Sequence, residues 1–173
     1  MITTDRLTIR RITAADWPAL QRIWADFSAS PFACYDTPHP TDAEAVRARV
    51  SRWADYAHSR EHMFFAVCLE GQIIGYVAFN QREASHEVGY CFHSACHGRG
   101  YARESLRALM DHLRTQGITR ITAGTALRNT PSVALLTALG FTLTGTETLA
   151  FHKDAQGRDV VFEGGLFQLD LPR

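Results

Sequence analysis

The sequence predicts a mixed α/β fold, and three observations lead there. Stretches with an apolar residue at every second position interleave with stretches whose apolar residues recur every three or four. Their order is strand, two helices, three strands, helix, strand, helix, two strands. The chain has 173 residues, 46% of them hydrophobic, enough to bury one core in a single domain spanning 1–173.

Each element has its own signal. Leu7 and Ile9 alternate with polar neighbours, as in a strand. Thr13 and Asp16 have capping-box spacing, and the helix behind them carries Trp17, Leu20, Trp24 and Phe27 on one face. Ser28 to Pro40 holds three prolines and reads as a loop, although Phe32, Tyr35 and His39 make it unusually aromatic. Thr41 and Glu44 form a second capping-box pair, ahead of a helix with Val46, Val50, Trp53 and Ala57 in step. Met63–Leu69 and Ile73–Phe79 are apolar strands joined at Glu70-Gly71-Gln72, a hairpin signal. His86–His93 is the next strand. A helix follows from about Arg99 to Gln116, stopped by Gly117. It makes a right-handed crossover to the strand Ile118–Ala126. Thr130-Pro131 supplies a cap and a first-turn proline for a short helix that ends at Leu139-Gly140. Two strands around a turn at Asp154–Gly157 close the chain. Gly164 and Gly165 in the last one signal a bulge or a close approach.

Charge and cysteine usage exclude several functions. Lys+Arg and Asp+Glu are both 18, so the basic excess of a non-specific nucleic-acid or polybasic membrane binder is missing. No apolar run approaches the ~20 residues of a membrane span. Met1–Arg6 lacks the apolar core of a signal peptide, so a cytoplasmic location is expected. The four cysteines form no C-x-x-C pair. His93, Cys96 and His97 lack a second ligand pair, so no metal is expected.

The chemistry concentrates between Glu87 and Glu104. A strand runs into the turn Gly98-Arg99-Gly100, and the turn opens a helix. The first amides of a helix lack internal partners and sit at its positive end. Glycines let a phosphate come close to them, and Arg99 and Arg103 add charge at the rim. The same turn is also common as a purely structural one. Neither G-x-x-x-x-G-K-[ST] nor G-x-G-x-x-G occurs, which disfavours a nucleotide hydrolase or a dinucleotide dehydrogenase.

His97-Gly98-Arg99-Gly100-Tyr101-Ala102 resembles the acetyl-CoA motif of the GNAT (GCN5-related) N-acetyltransferases, written Q/R-x-x-G-x-G/A. Asn129 to Phe141 is similar to their second CoA motif, N-x-x-S followed by L-G-F. Thr4 to Arg10 resembles the opening of the branch that contains the ribosomal-protein N-terminal acetyltransferases. The resemblance covers essentially the whole chain. It implies a twisted, mostly antiparallel sheet of about seven strands flanked by about four helices. The sheet is splayed between its fourth and fifth strands, here His86–His93 and Ile118–Ala126. It implies acetyl-CoA as cosubstrate, with the pantetheine arm in that gap beside the backbone of Phe92, His93 and Ser94. His97 and the amides of Gly98, Arg99, Gly100, Tyr101 and Ala102 would hold the pyrophosphate. Asn129 and Ser132 would line the other side, and an amide near Cys91 or Phe92 would polarise the thioester carbonyl.

The implied reaction is direct acetyl transfer in a ternary complex to a primary amine, on a peptide N-terminus or a small molecule. Glu87 matches the base of the family's histone acetyltransferases. His93 shares its strand face, and its ordinary pKa makes it a second candidate. Ser132 is the candidate acid for the thiolate. Cys91 reads as a buried structural thiol rather than an acyl carrier. Phe32, Tyr35, Asp36 and His39 fall where the family builds one wall of the acceptor cleft, and Glu147 and Glu163 are further candidates to face it. The chain departs from the family in three places. His97 replaces the usual Gln or Arg, Leu136 replaces the acid tyrosine of many members, and Gly124 lies near a glutamate that some carry. The second departure keeps open a non-catalytic acyl-CoA-binding or sensor domain. Apolar strands at the C-terminus allow a homodimer.

Overall fold

The alternating stretches pair into one sheet. The computed structural model describes residues 1–172. Its strands are β1 (Ile2–Thr3), β2 (Leu7–Arg11), β3 (His62–Leu69), β4 (Gln72–Arg82), β5 (Ser85–Phe92), β6 (Arg120–Ala126), β7 (Thr142–Lys153) and β8 (Asp159–Asp170). Their spatial order is β1-β2-β3-β4-β5-β6-β8-β7. Only β5 and β6 run parallel; the other neighbours are antiparallel. The strand beyond the expected seven is β1, two residues long and too short to announce itself by alternation. The helices are α1 (Trp17–Ser28), α2 (Ala43–Asp55), α3 (Tyr101–Thr115) and α4 (Thr130–Ala138). None is long and apolar enough to cross a membrane.

Each face of the sheet has its own core. Leu20 and Trp24 of α1 and Val46 and Val50 of α2 pack with Phe64, Tyr76 and Cys91. Leu106, Leu109 and Leu113 of α3 and Leu136 of α4 pack with Val77, Phe79 and Val88 on the opposite face. Being covered on both sides, β3 and β4 are continuous apolar runs rather than alternating ones. Their hairpin closes through Glu70 and Gly71, with φ of 49° and 80°, the two left-handed residues of a type I′ turn.

Two helix starts differ in detail from expectation. Asp16 accepts from the Thr13 N–H at 2.8 Å, but this box closes over a 3-10 turn at Ala14–Asp16, just ahead of α1. Arg10 holds the same carboxylate through two bonds of 2.7 and 2.8 Å. The cap of α2 is Asp42, not Thr41: the Asp42 carboxylate accepts from the Ala45 N–H at 2.9 Å. In the last strand, Gly165 marks a close approach and not a bulge. A Cβ there would lie 2.6 Å from Leu127 Cδ2, and the β7–β8 register slips elsewhere.

The site is positioned by the β5–β6 pair. It is joined only at His86↔Ile121 and Glu87↔Thr122. Beyond that, β5 stays with β4 as far as Gly75↔Phe92, while β6 follows β8 to Ala126↔Gly164. The sheet therefore opens as a wedge, with α3 starting at its mouth.

Candidate active site

The wedge continues into a cavity of about 830 Å³ that runs from the start of α3 to the β7–β8 hairpin. At the α3 end the donors are main-chain groups. Gly98 and Gly100 have φ of +71° and +80°, so the turn needs residues without a Cβ penalty. The first N–H of α3 to find a helical partner is that of Glu104, bonded to Gly100 O at 3.0 Å. The amides before it are the orphan donors of a helix start. A Cβ on Gly98 would meet nothing within 4 Å, so the approach to them is open. Gly98, Gly100, Tyr101, Ala102 and His97 line the cavity, with Arg103 as the cation. This is the donor set and the open approach that a pyrophosphate requires, so the residues present fit acetyl-CoA at this end.

The N-terminal segment braces that turn. The Thr4 hydroxyl donates to Glu104 Oε1 at 2.6 Å, and Arg6 Nε donates to Glu104 Oε2 at 2.8 Å. The Arg6 guanidinium also donates to the Arg99 carbonyl at 3.0 Å and lies 4.6 Å from the centre of the Tyr101 ring. Burial works against the Glu104 charge, but these hydrogen bonds and the Arg6 charge hold its carboxyl below the usual range. Arg99 itself does not line the cavity; its carbonyl is spent on the brace.

In the middle, β5 presents its backbone to the wedge. The His93 N–H donates to Ile74 O at 2.9 Å, towards β4. Alternation along the strand then turns the Phe92 and Tyr90 amides the other way, into the gap, and the Cys91 amide towards β4. The Phe92 carbonyl accepts from His97 Nε2 at 2.8 Å. The Ser94 N–H and hydroxyl both donate to the Asp26 carboxylate at 2.7 Å. Burial opposes the Asp26 charge, yet Ser94 and the nearby His93 and His97 hold its carboxyl below the usual range.

Two expectations change here. The N–H groups of His93 and Ser94 are committed within the protein, so the strand's open donors are Phe92 and Tyr90. The His93 imidazole lies 3.8 Å from Asp26, its Nδ1 accepts from the Ala95 N–H, and it does not line the cavity. It is set apart from Glu87 because the chain leaves the strand at Phe92 for a 3-10 turn, which ends the alternation.

Asn129 caps α4 by accepting from the Ser132 N–H at 3.3 Å, which leaves its side-chain NH₂ to donate. The hydroxyls of Ser132 and Tyr90 hydrogen-bond at 2.8 Å across the gap. Burial pushes the Tyr90 phenol up, with the bond to Ser132 pulling the other way. Leu136 is 1% exposed and belongs to the α3–α4 core, so no side chain from that position reaches the cavity. Sequence reading missed Tyr90 and Asp26. Odd and even positions of β5 look onto opposite sides, so the alternation that placed Glu87 was the signal that could have put Tyr90 on the α4 side. Asp26 had no motif around it.

On the other side of the sheet, Glu87 lines the cavity with its carboxylate 2.9 Å from Arg82 Nε. Burial, with the carboxylates of Asp36 and Asp26 behind it, pushes the Cys91 thiol up to about 12. It stays protonated near neutral pH, the wrong state for a nucleophile. Phe32, Tyr35 and Asp36 reach the cavity from the loop before α2, and Glu147, Leu149, Phe151 and Phe162 from the hairpin. Glu163 points to the other face and stays out, because it is offset by one from Phe162 and Gly164. His39 stays out too, stacked on Trp24 with ring centroids 5.4 Å apart. Among the described residues no three His, Cys, Asp or Glu side chains group as for a metal.

The chain and its fold resemble those of known proteins. The family model for an acetyltransferase (GNAT) domain matches residues 6–142. The uncharacterized N-acetyltransferase p20 of Bacillus licheniformis is 29% identical over 161 residues, covering 90% of this chain and 88% of that protein. The crystal structure of a ribosomal-protein-alanine N-acetyltransferase from Brucella melitensis is 26% identical with a TM-score of 0.75, covering 95% of this chain and 99% of that one. A ribosomal-protein alpha-N-acetyltransferase in complex with coenzyme A shares the fold with a TM-score of 0.82 at 21% identity, over 97% of this chain and 96% of that one.

Proposed function

The chain belongs to the GNAT acetyltransferase family, and we propose that it moves the acetyl group of acetyl-CoA directly to a primary amine held in the same cavity. The observation behind this reading is the continuity of the cavity. One lining joins the free amides at the start of α3, the β5–β6 gap and the carboxylate-bearing far end. Both substrates then have room at once, and a protonated Cys91 offers no acyl-enzyme detour.

In this mechanism Glu87 takes the proton of the ammonium group, directly or through water. The amine nitrogen attacks the thioester carbonyl carbon. The C–N bond forms while the Phe92 N–H hydrogen-bonds the carbonyl oxygen, a donor of the kind worth about 3–4 kcal/mol in a barrier. The C–S bond then breaks, and the thiolate takes a proton from Ser132, whose hydroxyl is backed by Tyr90 at 2.8 Å; the second proton that the nitrogen sheds as the amide forms restores this pair through water, and Glu87 releases the first to solvent. The amide and the free thiol leave. The pair Ser132–Tyr90 would do the work for which Leu136 has no proton. The acceptor is a peptide N-terminus or a small molecule. Relatives named as ribosomal-protein acetyltransferases put peptide N-termini first in the panel.

The test is release of CoA with mass spectrometry of products over peptide N-termini, amino acids, polyamines and amino sugars. Initial-rate lines that intersect when both substrates vary, with no mass added to the protein by acetyl-CoA alone, are expected. Parallel lines and an acetylated Cys91 would overturn direct transfer. Binding of acetyl-CoA with no turnover on any amine would restore the sensor reading.

A further inference from the structure

Charge and aromatic rings are distributed unevenly along the cavity. Among the described lining residues the only Arg or Lys is Arg103, at the α3 end. Asp26, Asp36, Glu87 and Glu147 are the carboxylates. Asp26 is tied to Ser94 and Glu87 to Arg82, and Asp36 lies 3.5 Å from His39. Glu147 has no hydrogen-bond or ion-pair partner among the described residues. Beside it the wall is aromatic. The rings of Tyr35 and Phe162 have centroids 5.3 Å apart, and those of Phe151 and Phe162 5.6 Å apart. Phe151 remains 40% exposed.

The register sets these groups side by side. Glu147 is opposite Gly164, and Leu149 is opposite Phe162. The carboxylate and the ring therefore share a sheet face about 7 Å apart along the strand. Gly164 keeps that face open: a Cβ there would meet Leu149 Cδ1 at 2.9 Å and Glu147 Cγ at 3.6 Å. The loop that supplies Tyr35 is held over the hairpin by His152, whose Nε2 donates to the Asp36 carbonyl at 2.6 Å.

We infer that the acceptor is a primary ammonium with an aromatic or bulky apolar group a few bonds away and no carboxylate beside it. This rests on the acetyl-transfer reading above and names the substrate class of that site. A cation is drawn by carboxylates that outnumber the cations of the lining, and the apolar group covers the Phe151 ring, otherwise left partly wet. An acceptor with its own carboxylate is repelled by the same groups, so a free amino acid is a poor substrate even with the right side chain. The chemistry fits both an arylalkylamine and a peptide that begins with a bulky residue.

The experiment measures kcat/KM at saturating acetyl-CoA for phenylalanine amide, alanine amide, free phenylalanine, phenethylamine, and peptides beginning with Phe or Ala. Phenylalanine amide is expected to exceed both alanine amide and free phenylalanine by ~10-fold or more. Phe151→Ala and Glu147→Gln, both at exposed positions, should raise the KM of phenylalanine amide ~10-fold and leave the KM of acetyl-CoA in place. Turnover of the Phe peptide identifies a peptide source, and turnover of the small amines alone a metabolite source; each supports the class. Equal rates with alanine amide or free phenylalanine overturn the inference and leave acetyl transfer standing. Absence of any amine turnover, with acetyl-CoA bound, overturns both.

Discussion

The α3 end of the cavity offers main-chain amides, proposed for the cosubstrate; the β7–β8 end offers side chains, proposed for the acceptor. The first end is built by one short stretch where the turn at Gly98 and Gly100 runs into α3, and it is braced by Thr4 and Arg6. The second is assembled from the loop before α2, from β5 and from both strands of the hairpin. A pyrophosphate is the same in every acyl-CoA, so a fixed set of amides suffices. Acceptors differ, and side chains can change without disturbing the sheet. On the proposed reading, the contrast teaches that cosubstrate binding would depend on the backbone, and specificity on side chains of the loop before α2, β5 and the hairpin.

The most severe way to break the first end is Gly100→Glu. It forces a side chain into a φ of +80° and adds negative charge at the positive end of α3. Acetyl-CoA affinity should fall ~100-fold or more, read by calorimetry on protein shown to be folded by circular dichroism. Unaltered affinity would remove the phosphate assignment.

Next in size is Glu87→Gln, at the border between the two ends. Loss of a general base should lower kcat ~100-fold with acetyl-CoA affinity unchanged. A normal kcat would leave the amine's proton to water alone. Because Glu87 is paired with Arg82 at 2.9 Å, Arg82→Ala separates the charge from its partner. It should lower kcat less than Glu87→Gln does, because the carboxylate that takes the proton is still present.

The same contrast explains what the amino-acid sequence discloses. Elements whose apolar period is met by packing were all legible, and so was the α3 end, because helix-start chemistry fixes residue type and spacing together. Gly98 and Gly100 announce themselves in that way, whereas Asn129, the cap of α4, was reached only through its resemblance to a family motif, the helix-start reading having placed the cap one residue later at Thr130. The acceptor end was legible as an aromatic loop, two glycines and the candidate carboxylates Asp36, Glu147 and Glu163, of which Glu163 does not line the cavity. Tyr35, Phe151 and Phe162 lie far apart in the chain and meet only through the β7–β8 register and the bridge from His152 to Asp36. His93 shows the opposite failure. Alternation put it beside Glu87, but a 3-10 turn begins one residue after the strand and turns its ring to Asp26. Periodicity predicts facing only while the strand lasts.

A smaller effect sharpens the middle of the site. Tyr90→Phe removes the hydroxyl 2.8 Å from Ser132. If the two act as one proton path, Tyr90→Phe and Ser132→Ala should each lower kcat ~10-fold, and the double variant should be little worse than either. Multiplying effects would mean that the two hydroxyls serve separate roles. Substrates with a more acidic leaving thiol should lose less, since they need the proton less.

The smallest expected effect lies in the brace. Glu104→Gln keeps the shape of the side chain and removes the charge that Arg6 and Thr4 hold. The Arg6 side chain is 45% exposed, so the pair is screened and contributes about 0.5–1 kcal/mol. Acetyl-CoA affinity should weaken only ~2–5-fold, with kcat unchanged. The sign with pH follows from the carboxyl lying below its ordinary range in the folded protein. Its contribution is complete above the unfolded-state value and is lost as pH falls through the lower folded one. The wild type should therefore keep its advantage over Glu104→Gln from neutral pH down to the carboxylate range, and the two should converge below it. A difference that instead grew with acidity would show that the segment Thr4–Arg6 does not act on the turn through this carboxylate.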